Sequence, residues 1–416
     1  MKIAFTSYQK FVVALLAFLQ FTIILDFMIL SPLGALLLQE LHISTRQFGL
    51  VVSAYAFSAG ASGLLTAGFA DRFDRKKLLL FFYAGFLLGT FCCGIAPSYG
   101  MLLAARIVTG LFGGVIGSIA MAISADLFAL EVRGRVMGVI QTAFAASQIM
   151  GIPIGLFLSN HWGWHAPFLL ITAIGLAVGV VVVLRLKPID AHLAQRSERN
   201  AFVHLFATLS KLDYLRGFGA TVFLATGGFM LMPFASPFMV HNLGIPIEQL
   251  PVLYMSTGVF SIVAGPLLGK LSDSIGKYRV LFGGTLLAMA VVTVYCRLGI
   301  TPFWQVITLN VLLFIAVSAR MISSSALNSA VPEAKDRGAY MSVNASIQQI
   351  SGGIASALAG LIVVQTESGS LEHYDMLGNV VVVAMVITLG LMYSVHKLVQ
   401  RRTEALAAAR PAPAAS

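Results

Sequence analysis

Two ionisable residues of this 416-residue chain lie within long apolar segments, where a charge is costly. Asp26 follows the apolar run Phe11–Leu25, which would form about 22 Å of helix, and Arg106 lies between Leu102 and Gly110. A charged side chain at the centre of a bilayer costs roughly 2.5–3.5 kcal/mol on insertion scales, and such residues are commonly functional. A carboxyl group that alternates between wet and dry surroundings can bind and release a proton. Because an arginine stays protonated, Arg106 can act only through its charge, and Asp26 is the acid near its depth.

Each residue also has a purely structural interpretation. Asp26 could only pair with a neighbouring helix, and Arg106 could only hold its own helix by hydrogen bonds to carbonyl groups. Thr22 and Ile29 fall on the same helix face as Asp26, so this face is expected to direct the carboxylate towards other helices. We interpret Asp26 as a proton carrier and Arg106 as the charge that tunes it.

The elements that position these residues are predicted to be membrane helices. Hydrophobic residues make up 58% of the chain and charged residues 11%, with a mean hydropathy of +0.88. Ordinary globular domains contain about 25% charged residues. A helix needs about 20 apolar residues to cross a membrane. The predicted spans are 11–38, 48–70, 78–97, 100–128, 134–160, 166–186, 213–241, 250–269, 279–298, 302–328, 338–364 and 376–398.

The longest polar stretch, residues 187–212, divides these spans into six and six. It is too short for a folded soluble domain, which needs at least about 50 residues, and we interpret it as a cytoplasmic linker. The predicted organisation is an N-terminal six-helix bundle over 1–186, a C-terminal six-helix bundle over 213–400 and a disordered cytoplasmic tail over 401–416, which is rich in alanine and proline.

Lysine and arginine are distributed very unevenly between the two sides of the predicted spans. Of the 27 cations, 23 fall on one side, whereas Arg46 and Arg297 fall on the other and Arg106 and Arg320 lie within spans. The positive-inside rule then predicts that both termini are cytoplasmic. We expect a multi-pass protein of the cell inner membrane (plasma membrane). Arg320 is predicted near the cytoplasmic end of its span, where its side chain could snorkel. The net charge of +10 thus reflects topology and does not predict nucleic-acid binding.

A charged loop between spans 2 and 3 recurs between spans 8 and 9. Residues 67–77 read AGFADRFDRKK and residues 269–279 read GKLSDSIGKYR, so Asp71 aligns with Asp273. Duplicated loops in corresponding halves indicate an internal repeat, which is common in secondary transporters.

These motifs resemble the major facilitator superfamily. The loop 67–77 is similar to the family pattern G-x-L-a-D-r-x-G-r-k-x, although Ala67 and Asp74 stand where the family has glycine. Residues 102–110 look like its L-x-x-x-R-x-x-x-G motif, whose arginine is linked to proton coupling. The resemblance implies an all-α membrane protein of the major facilitator fold, with twelve transmembrane helices in two pseudo-symmetric six-helix bundles. The position of Asp26 is similar to that of an acid in drug:proton antiporters.

The resemblance also implies a gating network on the cytoplasmic side. It would consist of Asp71, Arg75 and Asp126, with Asp273 as the counterpart in the second half, and would latch spans 2, 4 and 11 in the outward-open state. A solvated charge at a helix end is the alternative interpretation of Asp126. The altered residue Asp74 leaves the geometry of this latch open.

A substrate cavity is predicted from adaptable apolar residues and a few polar groups. Glycine and proline interrupt span 7 among methionine and aromatic side chains, which suit varied apolar ligands, and span 11 carries amide side chains. A lipid-facing surface is an equally good interpretation of any single residue in span 7. The predicted cavity residues are Phe18, Thr22, Gln148, Phe229, Met232, Phe234, Asn344 and Gln348.

These patterns predict a secondary active transporter, not an enzyme, that exports a small amphipathic, drug-like compound in exchange for protons by alternating access. Efflux of a sugar or metabolite and proton symport are alternatives, as is a substrate sensor or lipid-handling protein without coupling. We expect no metal or other cofactor, because the three cysteines lack metal-ligand spacing and no P-loop occurs. The expected partners are the small molecule, protons and the lipid bilayer, without nucleic acid, and the protein is expected to be a monomer.

The charge asymmetry gives a test of orientation. In a cysteine-free parent protein, we expect Ser98→Cys and Asn160→Cys to react with a membrane-impermeant thiol reagent added outside intact cells, and Ser197→Cys to remain unlabelled. The added mass on the protein measures the reaction. Labelling of the Ser197→Cys variant from outside would reverse the predicted orientation.

Overall fold

A computed structural model describes residues 5–66, 73–128, 130–190, 193, 208–333 and 336–408. Within these ranges, twelve helical segments are long and apolar enough to cross a membrane, as the sequence predicts. The uninterrupted spans are span 1 Ser7–Ile29, span 2 Thr45–Thr66, span 3 Arg75–Gly94, span 4 Tyr99–Leu127, span 6 Ala166–Arg185, span 8 Leu250–Ile275, span 9 Lys277–Tyr295, span 10 Phe303–Ser329, span 11 Arg337–Ile362 and span 12 Tyr374–Ala408.

Two spans change their helical geometry along their length. Span 5 consists of an α-helix over Leu130–Ala146, a π-helical turn over Ser147–Gly151 and an α-helix over Ile152–Trp162. Span 7 consists of Leu212–Phe229, a 3₁₀ turn over Met232–Phe234 and Ala235–His241. π-Helical turns are rare and frequently lie at functional sites. The predicted cavity residues Gln148, Met232 and Phe234 all lie in these irregular turns.

Three predicted boundaries were wrong. Span 1 ends at Ile29 instead of continuing to 38, and a separate helix occupies Gly34–Glu40, because Pro32 cannot continue the helical hydrogen bonding. Span 8 runs beyond 269 to Ile275 and ends before Gly276, whose φ of 103° is favourable only for glycine. The last helix continues to Ala408, so residues 401–408 are helical and not part of a disordered tail.

A short hairpin, β1 Val364–Gln365 paired with β2 Leu371–Glu372, joins spans 11 and 12.

Because the number of spans is even, both chain termini lie on one side of the bundle. We call this the terminal side and the opposite one the far side. On the far side, one hydrophobic core crosses from the first half to the second, and it includes Phe48 and Phe234, whose rings lie 5.9 Å apart. On the terminal side, the first half has its own core around Phe86, whereas the core of the second half around Tyr340 is also contacted by Leu64 of span 2. The two halves therefore share one continuous core on the far side, whereas towards the terminal side their contact runs along spans 2 and 11, where a Cβ atom on Gly63 would lie 2.9 Å from Oγ of Ser346.

Glycines permit the close approach of spans 2 and 11 at the closed end. A Cβ atom on Gly360 would lie 2.8 Å from the carbonyl oxygen of Thr45 and 3.2 Å from the Cα atom of Gly49. The hydroxyl group of Thr45 donates a 2.6 Å hydrogen bond to the carbonyl oxygen of Val363 across the same contact. This junction accommodates glycine and no larger residue without a shift of backbone.

We expect Gly360→Val to disfavour the conformation that is closed on the far side, because its side chain would overlap the backbone of span 2. Spin labels at the exposed residues Glu40 and Glu372 should then show a longer mean distance by pulsed electron resonance. Gly390→Val is the control, since no atom lies within 4 Å of a Cβ at that position. An unchanged distance distribution in Gly360→Val would contradict the assigned contact.

Candidate functional site

Asp26 and Arg106 form an ion pair inside the first half. The Nη1 atom of Arg106 donates to Oδ2 of Asp26 at 2.7 Å, and the hydroxyl group of Thr90 donates to Oδ1 at 3.1 Å. The side chains of the pair are at most 1% exposed. Spans 1, 3 and 4 thus each contribute one group, and both carboxylate oxygens of Asp26 accept a hydrogen bond.

Aromatic rings connect this ion pair to the second half. The guanidinium group of Arg106 lies 4.6 Å from the ring centroid of Tyr55 on span 2, which is cation–π distance. The Tyr55 ring lies 5.2 Å from that of Phe27, and Phe27 lies 5.8 Å from Phe229 of span 7. A rearrangement of the pair would therefore move side chains that touch the other half.

Burial makes this pair sensitive to the loss of either partner. Two charges taken out of water lose hydration, and each is then compensated only by the other and by its hydrogen bonds. Nε of Arg106 has no hydrogen-bond partner within the part of the chain that the structure describes. The carboxylate of Asp26 is consequently the main compensation for the charge of Arg106 in this conformation.

The predicted gating residues are only partly brought together. Nε of Arg75 lies 3.1 Å from Oδ2 of Asp126, which joins spans 3 and 4 within the first half. Asp71 lies outside the described residues. In the second half, the side chain of Asp273 at the end of span 8 is 78% exposed and lies 3.9 Å from Lys277 at the start of span 9. A gating role of Asp273 stays a prediction.

Asp74, where the family pattern has glycine, has a structural role in this chain. Its Oδ1 accepts a hydrogen bond from the backbone N–H of Lys77 at 2.8 Å, which caps span 3. Its Oδ2 accepts one from the backbone N–H of Ile189 at 2.9 Å, and the N–H of Arg75 donates to the carbonyl oxygen of Ile189 at 3.0 Å. The residue thus fastens the start of the linker to the loop between spans 2 and 3.

Two of the predicted cavity residues, Thr22 and Phe234, are buried by helix packing in this conformation, and their role in substrate binding stays a prediction. Thr22 is buried inside the first half, 3.3 Å from the hydroxyl group of Tyr83. Phe234 is fully buried against Phe48 in the core that closes the far side. Helical spacing predicted a face for Thr22 but could not show which helix covers it, and the composition of span 7 could not show that Phe234 packs against Phe48. Phe18, one turn before Thr22, is by contrast 58% exposed.

The other predicted cavity residues lie at or near the contact between the halves. Phe229, Met232 and Gln348 are half-buried, and Gln148 is buried in the π-helical turn of span 5. Asn344 is half-buried, and its Oδ1 accepts a 2.6 Å hydrogen bond from Thr221 of span 7. A role of these residues in substrate binding remains a prediction.

The interior of the second half contains polar groups that sequence patterns did not predict. The hydroxyl group of Thr221 also accepts a 2.8 Å hydrogen bond from Nδ2 of Asn328, so one network joins spans 7, 10 and 11. Arg320, predicted to snorkel towards the membrane surface, is instead 2% exposed and enclosed by the helices. In the first half, Thr90 and Tyr55 were likewise not predicted, because only the packing of spans 2 and 3 brings them beside Asp26.

We expect Arg106→Met to destabilise the protein by about 3–5 kcal/mol, because it leaves the buried charge of Asp26 without its partner. The double variant Asp26→Asn, Arg106→Met should recover most of this loss, since neither charge remains. The loss of stability is measured as the change in apparent Tm in one detergent. Arg297→Met, which replaces an exposed arginine, is the control. If the single and double variants lose equal stability, the two charges are not coupled.

Comparisons with known proteins bear on the whole chain. The sequence profile of the Major Facilitator Superfamily matches residues 16–215 and again 217–415. The chain is 26% identical over 397 residues to a Bacillus subtilis (strain 168) protein named uncharacterized MFS-type transporter YceJ, across 93% of this chain and 97% of that one. It is 30% identical over 197 residues to multidrug resistance protein fnx1 of Schizosaccharomyces pombe, across 46% of this chain and 35% of that one.

The fold is similar to that of a solved transporter. A bacterial homolog of the human lysosomal transporter Spinster, in an inward-facing and unoccupied conformation, superposes with a TM-score of 0.70 at 17% identity, across 99% of this chain and all of that one. The predicted fold of two six-helix bundles is thereby confirmed. With its family profile matched over both halves, the chain belongs to the Major Facilitator Superfamily and is a multi-pass membrane transporter of small molecules, not an enzyme.

Proposed function

We propose that the protein exports a small amphipathic compound in exchange for protons, with Asp26 as the group that carries the proton. The observation that carries this proposal is the enclosed ion pair of Asp26 and Arg106. Of the 17 acidic residues in the chain, Asp26 alone is flanked by long apolar segments on both sides, Phe11–Leu25 and Phe27–Leu38. An ionisable residue in such a position commonly marks a proton or substrate pathway.

The geometry of the pair supports an exchange in two states. With Asp26 ionised, Arg106 and Thr90 hold both carboxylate oxygens, as in the present conformation. Protonation of Asp26 would remove the charge that holds Arg106 and replace an acceptor with a donor. The aromatic contacts of Tyr55 and Phe27 would pass this rearrangement to Phe229 and hence to the second half.

Alternating access supplies the route for the proton and the compound. The present conformation is closed on the far side, where a continuous core joins the halves, whereas on the terminal side the two cores are distinct and meet at Leu64 of span 2. Opening of the far side would require spans 2 and 11 to part at Gly49 and Gly360. The orientation predicted from the cations places the terminal side in the cytoplasm, so the closed far side would face outward. We further infer a single-chain protein in the inner (plasma) membrane.

An amphipathic, drug-like substrate is supported by two observations. Half-buried apolar residues at the contact between the halves, such as Phe229 and Met232, offer adaptable surface beside the amides of Gln348 and Asn344. One relative with 30% identity over part of the chain is named a multidrug resistance protein. A membrane potential contributes about 2.3 kcal/mol per charge per 100 mV, which suffices to drive export without ATP.

We expect Asp26→Asn to abolish uphill export in proteoliposomes with an imposed pH gradient, because its side chain cannot carry a proton. Downhill exchange of labelled for unlabelled compound should persist, since it needs no net proton movement. The compound would first be identified by screening an efflux-deficient host against a panel of cationic, anionic and neutral amphiphiles.

The control for this experiment is Asp375→Asn, which changes an acid at the far-side end of span 12 and should leave uphill export intact. A pH-sensitive dye in the vesicle lumen would report the accompanying proton flux. Uphill export by Asp26→Asn at the wild-type rate would exclude Asp26 as the coupling residue. Accumulation of the compound in the direction of the proton gradient would indicate symport instead.

A further inference from the structure

Span 10 contains a second buried arginine, Arg320, whose charge is not paired with any described acidic residue. Its exposed fraction is 2%, and its Nε and Nη2 atoms have no hydrogen-bond partner within the described ranges. The other buried arginine of the membrane interior, Arg106, is matched by Asp26. An isolated buried guanidinium group is strongly unfavourable, so Arg320 requires an explanation.

The acidic residues of the second half lie too far along the helix axes from the level of Arg320 to compensate its charge. Arg320 is nine residues from the end of span 10 at Ser329, which is about 13 Å along the helix axis. The acids from residue 213 onwards lie at helix ends or in the connections between spans, and they are Asp213, Glu248, Asp273, Glu333, Asp336, Glu367, Glu372, Asp375 and Glu404. The second half thus has a buried cation in its interior and no carboxylate at the same level.

A glycine of span 7, Gly227, places bare backbone instead of a side chain against the guanidinium group. A Cβ atom on Gly227 would lie 3.5 Å from Nη2 and 3.8 Å from Nη1 of Arg320, so the guanidinium group lies beside bare backbone. The next residue, Gly228, is exposed, and no atom lies within 4 Å of a Cβ built there. Gly227 thus contacts Arg320 on the buried face of span 7, whereas Gly228 lies on an exposed part of the same helix.

We propose that Arg320 binds the carboxylate group of the transported molecule beside the backbone of Gly227, in a conformation in which spans 7 and 10 part to admit it. Nε and Nη2 form one edge of a guanidinium group, and this edge donates two parallel hydrogen bonds to a carboxylate in the most favourable bidentate geometry. These are the two atoms without a partner. The proposal rests on the proposed export of an amphipathic compound and narrows its class to amphipathic carboxylates.

The test compares carboxylates with their uncharged amides. Benzoate, benzamide, 2-naphthoate and 2-naphthamide would be titrated by calorimetry into the full-length protein in nanodiscs of zwitterionic lipid. We expect the wild-type protein to bind each carboxylate at least about tenfold more tightly than the matching amide. The amide has no negative charge and therefore lacks the charged hydrogen bonds to Arg320. Arg320→Gln should lose this preference, with unchanged amide affinity, whereas the exposed control Arg297→Gln should retain it.

Three results would overturn the proposal. They are a wild-type protein that binds neither carboxylate, a wild-type protein without preference for the charged form, and an Arg320→Gln variant with wild-type affinity for the carboxylates. Because binding is measured without a proton gradient, its outcome is independent of Asp26. Proton-driven export can therefore fail in vesicles while carboxylate binding persists, and the two proposals can be separated.

The stability of the ligand-free protein distinguishes a binding role from a structural one. If Arg320 is kept for its ligand, Arg320→Gln removes a buried charge without a partner, and the apparent Tm should equal or exceed that of the wild type. A lower Tm would show that the guanidinium group holds the helices together and would overturn the proposal. In the wild type, 2-naphthoate should raise the Tm, and this rise should disappear in Arg320→Gln.

Discussion

The ion pair between Asp26 and Arg106 constrains the first half of this transporter more than any other single interaction. Neither charge would be stable alone in a region so fully removed from water, and each therefore fixes the position of the helix that carries the other. Thr90 adds a hydrogen bond from span 3, so three helices must keep their register for both carboxylate oxygens to be satisfied. Tyr55 on span 2 extends the same constraint to the helix that packs against the second half.

The internal repeat reproduces the backbone of the two halves but not their charges. Both halves contain six spans and similar charged loops, yet the first half has a matched acid and base whereas the second has Arg320 with neither Nε nor Nη2 paired in the described structure. This asymmetry follows from the sequence, since acids after residue 213 lie at helix ends and connections. The two halves are thus suited to different tasks, with proton exchange proposed for the first and recognition of an anionic group for the second.

Length and hydropathy sufficed to predict the spans, because crossing a membrane imposes both. The pairing of Asp26 with Arg106 was also predictable, since the chain offers no other acid at that depth. Features that depend on neighbouring helices could not be predicted from the sequence. The hydrogen bond from Thr90 to Asp26 and the π-helical turn of span 5 are such features. The same limit applies to Thr22, for which the helical period gives a direction but not the helix found there, and to Phe234, for which composition does not show the contact with Phe48.

Charge balance connects the two proposed sites to the motion of the protein. Protonation of Asp26 leaves the charge of Arg106 uncompensated, which favours any conformation in which water or another group can reach that arginine. Loss of an anionic ligand would have the same consequence for Arg320 in the second half. A closed conformation that carries the compound is then favourable with Asp26 ionised and a carboxylate bound to Arg320, whereas the proton must cross with Asp26 protonated and no compound bound. A ligand shifts a conformational equilibrium only through the difference in its affinity for the two states. The compensation of the Arg106 charge by Asp26 and that of the Arg320 charge by a bound carboxylate are therefore the interactions through which proton and substrate movements can be coupled.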